Sequence, residues 1–116
     1  METIQLGCIV YTQQQAIAIM RHNSSGDKTY SLAFQLIAAK LNTQCNASDP
    51  SCIQSQIEAA DAFLCAHPIG SGVTANSAAW QSIKTTYFAL EKYNEGKSCA
   101  PSCATNQLIG APPSTQ

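Results

Sequence analysis

The stretch TYSLAFQLIAAKLNT, residues 29–43, decides how the chain folds. Leu32, Leu36 and Ala39 fall on one helical row, and Ala33, Ile37 and Leu41 on the next. Together the two rows form a broad stripe to be buried. The spacing therefore predicts a helix over about 29–43 that is covered by other elements.

Working outward, three further segments carry the helical period. Thr12 with Gln15 fits a capping box, in which the hydroxyl takes a first-turn amide and the glutamine reaches back. The helix it opens carries Ala16, Ile17 and Met20 on one face and should end near His22, before NSSGDK (23–28). Asp49-Pro50 is a start signal, with aspartate as cap and proline tolerated in the first turn. The helix from about Pro50 to Ala66 repeats apolar residues at Ile53, Ile57, Ala60 and Leu64. After the loop HPIGSGVTANS (67–77), a fourth helix starts at Ser77 and ends near Asn94, with Gly96 as its stop. Trp80, Ile83, Tyr87 and Leu90 mark its seam, and Tyr30 and Tyr93 are expected to reach the surface.

The first residues have a different period. ETIQLGCIVYT (2–12) alternates, contains β-branched residues and is divided by Gly7. A short hairpin is predicted, with strands at Thr3–Leu6 and Ile9–Tyr11. An isolated hairpin is marginal in water, so it must lean on the helices. The fold class that follows is mainly α: a small four-helix bundle with an N-terminal β-hairpin at about 2–11, stabilised by disulfides. Residues 1–104 form one domain, and 105–116, ending in APPSTQ, are expected to be a disordered tail.

Composition narrows the function classes. Net charge is −1, charged residues are 11% of 116, and Lys28, Lys40, Lys84, Lys92 and Lys97 are scattered. A nucleic-acid partner is not expected, because no basic patch is visible. Ser, Thr, Asn and Gln make up 38 residues, so polarity rests on uncharged groups. No apolar run approaches the roughly 20 residues of a membrane span. METIQLGCIVYT (1–12) lacks the basic start and long apolar stretch of a signal peptide, so an exported protein would contain this chain as a mature piece or an excised domain.

Five strings occur in order: QLIAAKLN (35–42), DPSCI (49–53), EAADAFL (58–64), HPIGSGV (67–73) and YNEG (93–96). Together they resemble a helical domain of secreted and cell-surface multidomain bacterial proteins. That family often accompanies immunoglobulin-like or PKD-type modules and sorting signals, and has no defined catalytic activity. The resemblance covers about Thr3 to Cys103 and implies an extracellular or cell-surface location. Family members often carry an aromatic, lysine and His-Pro-containing segment upstream of the hairpin, and the sequence starts after that point, as expected of a trimmed domain or of a protein without the upstream piece.

The cysteines bear on the same question. Cys8, Cys45, Cys52, Cys65, Cys99 and Cys103 are even in number, as complete disulfide pairing requires. They allow 15 pairings. Cys45–Cys52 is favoured, since the two flank the turn between the second and third helices and closing that loop contributes about 2–3 kcal/mol in the chain-entropy model. Cys8 is a candidate partner for a tail cysteine, Cys99 or Cys103. A zinc site would need tighter CxxC-type pairs than CAPSC (99–103) supplies, and free redox thiols are a further alternative. No metal or cofactor is expected.

No catalytic residue is assigned. His22 suits the C-terminal end of a helix, and His67 stands in a loop without a recognisable nucleophile or orienting carboxylate. Asp49 reads as a cap, Glu58 and Asp61 can share a helix face, and NSSGDK lacks the alternating acids of a calcium loop despite Asp27. The leading expectation is a non-enzymatic extracellular structural or interaction module, including as a subunit of a surface assembly that associates through protein partners or itself. In that version apolar surface is expected on the hairpin edge or the tail. The alternative is a small bundle that holds an apolar molecule in its core, among Phe34, Phe63 and Phe88.

Overall fold

The computed structural model describes residues 3–23, 26–45 and 51–96, with side chains described for all of these except 44, 45 and 51. Within them lie β1 (Thr3–Leu6), β2 (Ile9–Thr12), α1 (Gln13–Arg21), α2 (Lys28–Cys45), α3 (Ser51–Ala66) and α4 (Ala78–Asn94). The mainly helical class with an N-terminal antiparallel hairpin is the one that periodicity predicts. The Asp49-Pro50 start signal and the tail lie outside the described residues.

α2 is the axis of the molecule. Leu32, Ala33, Leu36, Ile37, Ala38 and Ala39 are fully buried. It packs against α3, α4, α1 and β1, and α3 packs on α4. A helix contacted on so many sides has little room for a polar face. Ile53, Ile57, Ala60 and Leu64 of α3 and Trp80, Ile83 and Leu90 of α4 are buried as their spacing predicts. α4 differs from expectation at its end. Tyr93 is buried, 1% exposed, because the Trp80–Ile83–Leu90 seam continues one step further to Tyr93 and Asn94.

The starts of α1 and α4 follow the sequence rule. Gln15 N donates to Thr12 Oγ1 (3.1 Å) while Thr12 N donates to Gln15 Oε1 (2.8 Å), a complete capping box. Trp80 N donates to Ser77 Oγ at α4. At the far end Gly96, at φ +77°, donates to the Tyr93 carbonyl and stops the helix.

The hairpin pairs Leu6 with Ile9, Gln5 with Val10, Ile4 with Tyr11 and Thr3 with Thr12. Its loop is the dipeptide Gly7-Cys8. Gly7 has φ +66° and no described non-glycine residue has positive φ, which is the pattern of a II′ turn with glycine first. Ile4 and Leu6 of β1 point into the core, 6% and 2% exposed. The turn itself lies on the end of α3. A Cβ built on Gly7 would stand 2.7 Å from Cys65 N and from the Leu64 carbonyl carbon. That close approach brings the Cα atoms of Cys8 and Cys65 to 4.8 Å, and the two cysteines form a disulfide. Cys8 therefore pairs with Cys65 and not with a tail cysteine. The hairpin folds back onto α3, so the nearest sulfur is the one at that helix end. Closing a loop between residues 57 apart contributes about 4 kcal/mol in the chain-entropy model.

Gly7→Ala is expected to destabilise the fold by at least ~2 kcal/mol, from left-handed backbone strain and contact with helix backbone that cannot move aside. Gly26→Ala, with nothing within 4 Å of the added Cβ, is the matched control and should be close to neutral. Urea unfolding of the two variants checks both.

Candidate interaction surface

The hairpin has two edges, and the protein treats them differently. In a two-residue hairpin the residues flanking the loop exchange both backbone hydrogen bonds, and the next pair faces outward. Leu6 and Ile9 are thus bonded to each other, while Gln5 and Val10 turn their N–H and C=O groups away from the ladder. On the β1 side the outward carbonyl is taken. Lys40 Nζ donates to the Gln5 carbonyl. The same ammonium is 2.8 Å from Asp61 Oδ2, and Asp61 Oδ1 accepts from Gly7 N at 2.8 Å. One lysine from α2 and one aspartate from α3 therefore close the β1 edge and fix the turn.

The β2 edge has no strand partner among the described residues. Val10 is 61% exposed and Ile9 45% exposed. Thr12 N is occupied by Gln15, which leaves Val10 as the residue whose backbone N–H and C=O face out. No charged residue and no proline occurs from Thr3 to Thr12, so the usual protections of an exposed edge are lacking. Phe88 on α4 is a third exposed apolar side chain, edge-on against Tyr87.

A second polar clasp holds the loop after α3. Asp27 stands at the start of α2 and its carboxylate accepts from Thr29 N, Thr29 Oγ1, Gly72 N and Val73 N at 2.7–3.1 Å. Lys28 N donates to the Val73 carbonyl, and Gly70 N to Thr29 Oγ1. The string HPIGSGV is thereby wrapped around the first turn of α2. Burial pushes the Asp27 carboxyl up, but the hydrogen bonds from Thr29, Gly72 and Val73 outweigh it and hold it below the usual aspartate value. A third clasp is buried between α2 and α4. Asn42 Nδ2 donates to Asn94 Oδ1, and Asn94 Nδ2 donates to the backbone and side-chain oxygens of Gln35.

The remaining sequence candidates are dispersed. Cys52 is disulfide-bonded to a partner outside the described side chains. Cys45 has no described side chain, and Cys99 and Cys103 lie outside the described residues. His22 stacks on Tyr30 and His67 on Phe63. Glu58 accepts from Gln54 while Asp61 serves Lys40 and Gly7, so the two acids that share a helix have separate partners. Asp27 is saturated by protein donors, as a capping carboxylate is and an open cation ligand is not. Among the described residues no three His, Cys, Asp or Glu side chains gather as metal ligands would. No helix there is long and apolar enough to cross a membrane.

Among the described residues, Phe34, Phe63 and Phe88 have different surroundings. Phe63 is buried under His67, Phe88 faces solvent, and Phe34 lines an open cleft of about 140 Å³ with Ile19, Met20, Tyr30, Gln35 and Tyr87. A scan of protein-family models, a search of curated proteins and a search of solved structures each return no match.

The residues that sequence reasoning missed are Gly7, Asp27, Lys40 and Asn94. Asp27 had a usable signal, since an aspartate directly before a helical period is a cap. The sign of its contribution follows from its lowered value. A carboxyl depressed in the folded state adds stability that is complete above its unfolded value, about 3.9, and that disappears as pH falls through the folded value. Asp27→Ala is expected to cost ~1 kcal/mol at neutral pH, with the gap to the parent protein narrowing below about pH 4. Thermal melts from neutral to strongly acid pH check this.

Proposed function

We propose that the chain is a non-enzymatic extracellular module with a structural or adhesive role, acting as a spacer or subunit in a cell-surface assembly. The hairpin carries this reading. It is fixed from behind by Cys8–Cys65, Lys40 and Asp61, and it presents Ile9 and Val10 to solvent in front. A surface held rigid in this way loses little entropy on contact. Disulfides persist in oxidising compartments, which supports a place outside the cytosol. The small net charge of −1 leaves little long-range repulsion between neighbouring copies.

The reading is tested in cells that naturally produce the protein. Fractionation combined with alkylation before and after reduction should find it outside the cytosol, with all six cysteines unreactive until reduced. Recovery from the cytosol with thiols that alkylate directly would overturn it.

A further inference from the structure

We propose that the open edge of β2 pairs with the same edge of a second copy of this chain, antiparallel about a two-fold axis through Val10. The inference rests on the reading of the protein as an interaction module and names the partner.

The register supplies the first argument. A strand residue whose N–H and C=O both face outward is complementary to itself when the second strand runs the opposite way. Val10 is such a residue, because it lies one pair beyond the bonded Leu6–Ile9 pair. Two hydrogen bonds then form between Val10 of one copy and Val10 of the other. The two-stranded hairpins join into one four-stranded sheet, which is far better able to persist in water than either alone.

Side-chain placement agrees. Around that axis Val10 stands opposite Val10, and Ile9 opposite Tyr11 of the second copy. The contact therefore covers the two exposed aliphatic side chains of β2, 61% and 45% exposed, with a ring whose own burial is partial. No charge from Thr3 to Thr12 opposes the approach, and Lys40, the nearest cation described at the hairpin, is committed to Asp61 and Gln5 on the other edge. The arrangement also limits itself. Thr12 N is held by Gln15, so the ladder cannot extend into α1, and the β1 edge is closed by Lys40 and Asp61. Two copies saturate the available edges, giving a closed dimer instead of a fibre. A contact this short is smaller than a standard interface and exchanges rapidly. Arrayed copies at a surface would gain strength from effective concentration.

The test is sedimentation velocity of the 116-residue chain from about 10 µM to about 1 mM, the range in which so small an interface acts. The weight-average mass should climb toward twice the monomer, and exchange of the Val10 amide should slow as concentration rises. Val10→Lys, at an exposed site, should keep the parent melting temperature and remain monomeric throughout. Phe88→Ser, which alters the other exposed apolar side chain, should associate as the parent does. A parent protein that stays monomeric overturns the proposal, as does undiminished association of Val10→Lys or growth beyond a dimer. A Val10 amide protected equally at every concentration would place another segment of the same chain on the edge, and would overturn it too. None of these outcomes bears on the location and thiol state that test the broader reading.

Discussion

The contact between the Gly7-Cys8 turn and the last turn of α3 organises the molecule. The turn sits so close to the Leu64–Cys65 backbone that a side chain at position 7 has no space. Glycine is required there twice over, by the positive φ of a II′ turn and by the approach itself. The approach then dictates which sulfur Cys8 meets. A two-stranded hairpin has no independent stability, so these strands keep their register because α2 and α3 hold them from one side.

That asymmetry gives the protein two kinds of edge. Behind the hairpin, Lys40 and Asp61 satisfy the outward carbonyl of Gln5 and the amide of Gly7. In front, Val10 keeps its backbone groups and its side chain toward solvent. Natural sheets protect such an edge with charge, proline or cover. Lys40, with its ammonium drawn back to Asp61, protects one side and leaves the other uncharged.

Periodicity made most of the helical frame legible. The α2 rows, the α3 repeat and the Thr12 and Ser77 caps are local patterns, and local patterns survive folding when nothing in the tertiary structure opposes them. What could not be read was anything set by distance along the chain. Cys8 and Cys65 are 57 residues apart, and no spacing rule reports that the hairpin folds back on α3. Asp27 binds amides 45 and 46 residues away. Tyr93 is partly legible, since it stands three residues beyond Leu90 and extends the apolar seam of Trp80, Ile83 and Leu90. The strings that carry the resemblance gain a physical meaning here. Gln35, Lys40, Asn42, Asp61, Gly70, Gly72 and Asn94 all lie within them, and these residues take part in the three polar clasps, the second of which is centred on Asp27 and Thr29 outside the strings.

The most direct test of the account is the disulfide map of the unreduced protein, read by proteolysis and mass spectrometry of linked peptides. The account predicts a cross-linked species that joins the peptide containing Cys8 to the one containing Cys65, and that disappears on reduction. A link from Cys8 to Cys99 or Cys103 would contradict it, because the turn could then not sit on the end of α3, and both the closed β1 edge and the open β2 edge would lose their basis.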